Sequence, residues 1–217
     1  MTPQEPPDNP LTAVAYDGKA EEYNWRGPEV VFGLSYRFIN PGESMLDIGI
    51  GTGLGSALFH KSGLRVFGMD NSAEMLEACK QKGFATDLKK HDLTTGPYPY
   101  DTASLDHTVC TGVLDFHRDL KPVFREVARI LRDKGIFCFT VADRGPREGP
   151  EYAAGPESTQ SDSTVTMYRR SAEEINGLLK ENDFESLRCV EFSVFMNSER
   201  TIPLRLKAYV ARRIGRI

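Results

Sequence analysis

The 217-residue chain is 40% hydrophobic and 27% charged, the balance of an ordinary soluble globule, and its length suits a single α/β domain with a sizeable core. A formal charge of −4 and a pI near 5.7 exclude a global attraction to phosphate backbones or anionic lipid, so nucleic acid is not an expected partner. No stretch reaches the roughly 18 apolar residues of a membrane span, and the opening "MTPQEPPDNP" has neither the basic start nor the apolar core of a signal peptide, which points to the cytoplasm and away from membranes.

Residues 1–10 hold four prolines without apolar periodicity and read as a flexible tail, leaving 11–217 for the domain. Two helical stretches follow, 11–24 and 28–38, divided by Gly27, with Pro28 suited to the first turn of the second. Together 11–39 form an expected N-terminal helical lid over whatever comes next. Then a rhythm begins: "SMLDI" (44–48) is a strand, "LGSALFHKSG" a helix stopped by Gly63, and "LRVFGMD" (64–70) a strand. "NSAEMLEACKQKG" is a helix capped by Ser72, with Met75, Leu76 and Cys79 on one face and Gly83 at its end. "FATDLKK" (84–90) and "SLDHTVC" (104–110) are the third and fourth strands. Residues 119–135 form an amphipathic helix with Val123, Val127, Ile130 and Leu131 on one side and a stop at Gly135, before the buried-looking strand "IFCFTVAD" (136–143).

Such alternation predicts a parallel sheet covered on both faces, with a ligand at the carboxyl ends of its strands. Gly, Pro, Ser and Thr then dominate, and 144–168 reads as an irregular insertion on the substrate side. A helix at 171–182 and two β-like runs, 184–195 and 203–213, complete the chain. The cysteines Cys79, Cys110, Cys138 and Cys189 lie 31, 28 and 51 residues apart with no metal-ligand spacing, so they read as reduced thiols and no metal is expected.

"MLDIGIGTGLGS" (45–56) places Gly49, Gly51, Gly53 and Gly55 at alternate positions directly after an acid and an apolar run. Glycine costs more backbone entropy on folding than any other residue, so four within seven positions argue for unusual φ/ψ or for something approaching the backbone closely. A dinucleotide fingerprint needs a third glycine or alanine, and the two possible registers offer Leu54 and Ser56 instead, which weighs against a nicotinamide-dependent oxidoreductase. A tight strand-to-helix turn alone is the bland alternative.

The observed D-x-G-x-G-x-G, from Asp47 to Gly53, resembles motif I of the class I S-adenosylmethionine-dependent methyltransferases, and the resemblance continues in order along the chain. Asp70 closes the second strand, "KKHDL" follows the third, "LDHTVCTGVLDF" resembles the fourth motif, and "YDGKAEEYN" (16–24) resembles the segment whose aromatics close over the cofactor, with Asn24 in place of the usual acid. The resemblance implies a Rossmann-like, doubly wound α/β fold of seven strands, the last antiparallel. It implies S-adenosylmethionine as cofactor and S-adenosylhomocysteine as product. By the resemblance, Asp47 would orient the methionine amino group, Gly49, Gly51 and Gly53 admit the cofactor, Asp70 hold the ribose, and Asp92 and Leu93 meet the adenine, with Asn71 and Met75 also at the cofactor. Backbone at Cys110 and Thr111 would face the methionine part, with Tyr16 and Tyr23 closing above.

A sulfonium-activated methyl group asks the protein mainly for alignment, so the implied reaction is methyl transfer to N, O or C of an acceptor. Candidate proton acceptors are His117, which suits a general base, then Asp115 and Tyr168. His107 lies within a strand and reads as a packed residue, Asp115 could equally cap the next helix, and "MYRRS" could be a helix entry. With no amino-nucleobase motif and no basic aromatic platform, a small molecule is the expected acceptor, and the chain is expected to act as a monomer or homodimer. A cofactor-binding partner protein without turnover, on the same fold, is the other alternative.

Overall fold

The structure, a computed structural model, describes residues 13–155 and 164–215; the tail expected at 1–10 and the middle of the 144–168 insertion lie outside the described residues. The first apolar run becomes β1 (Ser44–Ile48), buried at every position, as expected of a strand with helices on both faces. Around it stand β2 (Arg65–Asp70), β3 (Ala85–Lys90), β4 (Leu105–Cys110) and β5 (Leu131–Asp143), all parallel, while β9 (Pro203–Arg213) runs antiparallel to β5 and pairs with β8 (Phe184–Phe195). The resulting order is β3-β2-β1-β4-β5-β9-β8, with β9 the antiparallel member, and two further strands described below bring the sheet to nine where seven were expected. The order reverses at β1, so the switch point lies between the ends of β1 and β4.

Strand alternation sorts the core into two layers. Leu46, Ile48, Phe137 and Phe139 face α5 (Lys121–Ile130) and α6 (Ala172–Glu181), where Phe124 sets its ring edge-on to both phenylalanines at 5.4 Å. Met45, Val66, Ile136 and Cys138 face the other way, against α2 (Gly27–Ser35), α3 (Ala57–Lys61) and α4 (Ala73–Gln81). The N-terminal helices therefore divide. Val31 of α2 is 1% exposed and Phe32 meets Phe59 edge-on, so α2 is a covering helix of the sheet, whereas α1 (Ala13–Glu22) reaches the carboxyl edge.

Three expectations need correction. The helix expected over 119–135 ends at Ile130, and β5 begins at Leu131, paired with Leu105. The register then shifts before His107, and Gly135 passes so close to the Asp106 carbonyl that a Cβ there would sit 2.4 Å from it. Gly135 serves a close backbone approach rather than a helix stop. The 144–168 segment is not irregular throughout: β6 (Glu151–Ala154) and β7 (Val165–Arg170) form an antiparallel hairpin, and β7 adds parallel to the last two residues of β5. "MYRRS" is accordingly strand, and α6 starts only after Ser171, which forms a reciprocal capping box with Glu174. The four cysteines are free, and no helix among the described residues is long and apolar enough to cross a membrane.

Candidate active site

β1 delivers Asp47 to the switch point, buried, where its carboxylate accepts a hydrogen bond from the Ser56 hydroxyl. Burial pushes this acid up to about 7, the Ser56 bond opposing and the charge of Asp70 adding to it. Gly55 makes room, since its Cβ position lies 3.1 Å from Asp47 Oδ2. Ahead of it the loop turns through positive φ at Gly49, Gly51 and Gly53, at 73°, 53° and 89°.

The alternate glycines do different work. A Cβ on Gly51 would meet nothing within 4 Å, one on Gly49 would strike the Val113 side chain at 2.6 Å, and one on Gly53 would strike Phe84 at 2.5 Å. Gly51 thus leaves open space, Gly49 lets the ends of β1 and β4 approach, and Gly53 packs the loop against the residues between α4 and β3.

Asp70, at the end of β2, accepts from Gly51 N at 2.8 Å through Oδ2 and from Ser72 N at 2.9 Å through Oδ1. It therefore shapes the glycine loop while standing in the wall of the cleft, and burial raises its pKa against those bonds. Beyond β3, Asp92 folds its own turn by accepting from Thr94 N and Oγ1 at 2.7 and 2.8 Å. At the end of β4, the Cys110 thiol points into the core and its pKa is raised by burial, and Thr111 follows with a buried hydroxyl that has no hydrogen-bond partner among the described residues.

These ends enclose two adjoining hollows. Gly49, Asp70, Asn71, Asp92, Leu93 and His117 line one; Tyr16, Trp25, Asp47, Gly51, Thr52 and Thr111 line the other; Gly49 and Val113 belong to both. Most of the expected site residues are thus brought together. Gly53 and Met75 are turned into packing, and Tyr23 lines neither hollow.

Of the candidate proton acceptors, His117 lines the first hollow, and burial keeps it readily neutral. Asp115 caps no helix. It is buried in a 3-10 turn, accepts from Ala142 N at 2.7 Å, and is pushed by burial up to about 7 against the Ala142 bond and the charge of Arg170. Asp119 supplies the turn into α5, bonding Lys121 N at 3.0 Å. Tyr168 stands on β7, its ring 5.6 Å from the Arg170 guanidinium, and lines neither hollow. His107 is at the wrong edge: registered with Met45 and Ile136, it pairs Nε2 with Glu43 at 2.8 Å.

The sequence reading missed Trp25, Val113 and Phe116. A signal existed for the first, because Trp25 is the chain's one tryptophan and abuts two glycines: Cβ positions on Gly27 and Gly112 fall 2.3 and 3.1 Å from its ring.

Residues 46–139 match the family model of the methyltransferase domain. That stretch, under half of the chain, is similar to a methyltransferase domain, in keeping with the resemblance to the class I S-adenosylmethionine-dependent methyltransferases. Malonyl-[acyl-carrier protein] O-methyltransferase of Serratia marcescens is 30% identical over 106 residues, 49% of this chain and 41% of that protein. The chain spans about two-fifths of the length of the curated relatives it first matches. Among solved structures, a Methanosarcina mazei S-adenosylmethionine-dependent methyltransferase aligns with a TM-score of 0.71 at 16% identity, over 84% of this chain and 98% of that one. Magnesium protoporphyrin IX methyltransferase of Synechocystis, with bound S-adenosylhomocysteine, aligns at 0.66 and 17% identity over 95% and 97%.

S-adenosylmethionine is the cofactor that this similarity implies, and the residues present suit it. The open space over Gly51, the wall carboxylates Asp47 and Asp70 facing a cationic ligand, and the unpartnered Thr111 hydroxyl are what such a molecule would use. The nicotinamide alternative is thereby set aside.

Proposed function

We propose that the chain is an active methyltransferase that moves a methyl group from S-adenosylmethionine to a small-molecule acceptor. The observation that carries this reading is the convergence of Asp47, Asp70 and Asp92, from the ends of three adjacent strands, beside Gly49 and Gly51 in one divided cleft. When bound, S-adenosylmethionine supplies an electrophilic methyl group on a sulfonium centre.

In this reading Asp70 and Asn71 hold the ribose, Asp92 and Leu93 the adenine, and Asp47 the methionine ammonium, while Gly49 and Gly51 let the backbone come close. Thr111, with Cys110 behind it, faces the methionine chain, and Tyr16 closes the far side. Alignment of this kind contributes up to about 7–11 kcal/mol to a two-reactant step. His117 is the residue suited to take a proton from the acceptor, because burial favours its neutral form. Asp115 positions the end of β5 through Ala142, beneath the β6–β7 hairpin, which is the expected acceptor side.

Calorimetric titration with S-adenosylmethionine, S-adenosylhomocysteine and NAD tests the reading without knowledge of the acceptor. Saturable binding of the first two supports it, followed by transfer of a labelled methyl group to members of a small-molecule panel. Absence of binding, or tight binding with no labelled product from any acceptor or extract, overturns an active enzyme, the latter in favour of a partner protein.

A further inference from the structure

Helix α1 covers the hollow that holds Asp47 and Thr111, yet over residues 16–22 none of its side chains is fully buried. Polar contacts therefore bear directly on how residues 16–22 are held. One side chain dominates those contacts. Thr52 Oγ1 donates to Asp17 Oδ1 at 2.5 Å, and Lys82 Nζ donates to Asp17 Oδ2 at 2.5 Å.

The two partners sit on rigid ground. Thr52 is 1% exposed, between Gly51 and Gly53 at the tip of the glycine loop, and Lys82 is the C-cap residue of α4, its N–H turned back onto the last turn. A single carboxylate thus ties α1 to both the loop and the helix that bound the cleft. Tyr16, the residue before it, lines the cleft, and Trp25 beyond the helix lines it too. The ion pair lies at the rim, the Lys82 and Asp17 side chains being 34% and 32% exposed, where water and salt reach it. The buried Thr52 hydroxyl backs the same carboxylate, while the Lys82 side remains accessible enough to break.

We infer that Asp17 is a positioning residue that latches α1 over the cofactor cleft through Thr52 and Lys82, so that release of the cofactor product requires this latch to open. The inference rests on the proposed placement of the cofactor beneath Tyr16.

Trp25, the chain's one tryptophan, provides the probe. Stopped-flow fluorescence against S-adenosylhomocysteine concentration gives the association rate as slope and the dissociation rate as intercept. For Asp17→Ala the dissociation rate should rise about tenfold, the order expected from losing charge-assisted hydrogen bonds, with less change in the slope. Alanine is the best helix former, so α1 itself is not penalised. Lys82→Met should raise the intercept less, the exchanged pair Asp17→Lys with Lys82→Asp should bring it back toward wild type, and added salt should speed release from wild type but not from Asp17→Ala. Unchanged dissociation in both single variants, or variants that lower the melting temperature without altering release, overturns the latch. Failure of the wild type to bind S-adenosylhomocysteine is a separate outcome, and overturns the functional reading beneath it.

Discussion

At the amino edge of the sheet, Asp106 accepts from Ser44 N, Ser44 Oγ and Arg132, and these bonds hold its carboxyl at about 2 although burial pushes the other way. Glu43, bonded by His107 and Asn40, is likewise lowered. At the carboxyl edge, Asp47 and Asp115 are pushed by burial up to about 7, and Asp70 is raised. The acids of the amino edge are held ionised by their donors, whereas those of the carboxyl edge are shifted toward the protonated form by burial despite the bonds that Ser56, Gly51, Ser72 and Ala142 donate. The first arrangement staples β1, β4 and β5; the second holds electrostatic demand that a cationic ligand can meet.

The largest expected consequence is opposite pH dependence at the two edges. A carboxyl whose folded pKa is raised keeps a proton that the unfolded chain loses above its ordinary 3.8, so Asp47 and Asp115 contribute stability that is present below that value and lost as pH rises through about 7. The slope is about 1.4 kcal/mol per pH unit for each group in that window. Asp106 has the opposite sign, its stabilisation being present above 3.8 and lost as pH falls toward 2. Urea unfolding of the ligand-free chain between pH 5 and 8 should show falling stability, reduced in Asp47→Asn; a flat profile would contradict the burial of acids at the carboxyl edge. S-adenosylmethionine, being cationic, should bind more tightly as pH rises across 7.

Asp70→Ala comes next. It removes an acceptor that shapes the loop through Gly51 and, in the proposed function, holds the ribose, and should weaken S-adenosylmethionine binding by about 1.5–3 kcal/mol in calorimetry. Asp106→Asn, at the other edge, should lower stability by about 1–2 kcal/mol while leaving cofactor affinity unchanged. If both variants lost stability and affinity equally, the division between the edges would fail.

Much of this division was legible in the sequence. Strands β1, β2, β4, β8 and β9 begin and end within a residue of where the sequence puts them; for β1 and β4 the reason is burial on two faces, which makes the apolar run continuous. Asp47, Asp70 and Asp92 came from the family resemblance, and the structure puts each at or just beyond a strand end. What was not legible depended on contacts across the sheet. Leu131 continues the apolar stripe of α5, and only its pairing with Leu105 ends the helix there. Gly135 reads as a helix stop until Asp106 comes against it. His107 reads as a packed strand residue, but its Glu43 partner emerges only from the pairing of β1 with β4. The β6–β7 hairpin lacks clean alternation, and Tyr168 could not be placed without it.

The smallest effect gives the finest test, because it compares two hydroxyls. Ser44 Oγ donates to Asp106 Oδ2 at 2.7 Å and accepts from Asp106 N at 3.0 Å, so Ser44→Ala strands two partners and should cost about 1 kcal/mol or more of stability. Thr111 Oγ1 is equally hidden but has no partner among the described residues. Valine keeps its shape and removes a polar atom that is buried without compensation, so Thr111→Val should leave the melting temperature unchanged or raise it slightly. Its cost should appear instead in S-adenosylmethionine affinity or methyl transfer, if that hydroxyl waits for a ligand. Stabilisation with full binding and activity would mean that Thr111 is a packing residue and that the unmet demand at this edge belongs to the carboxylates alone.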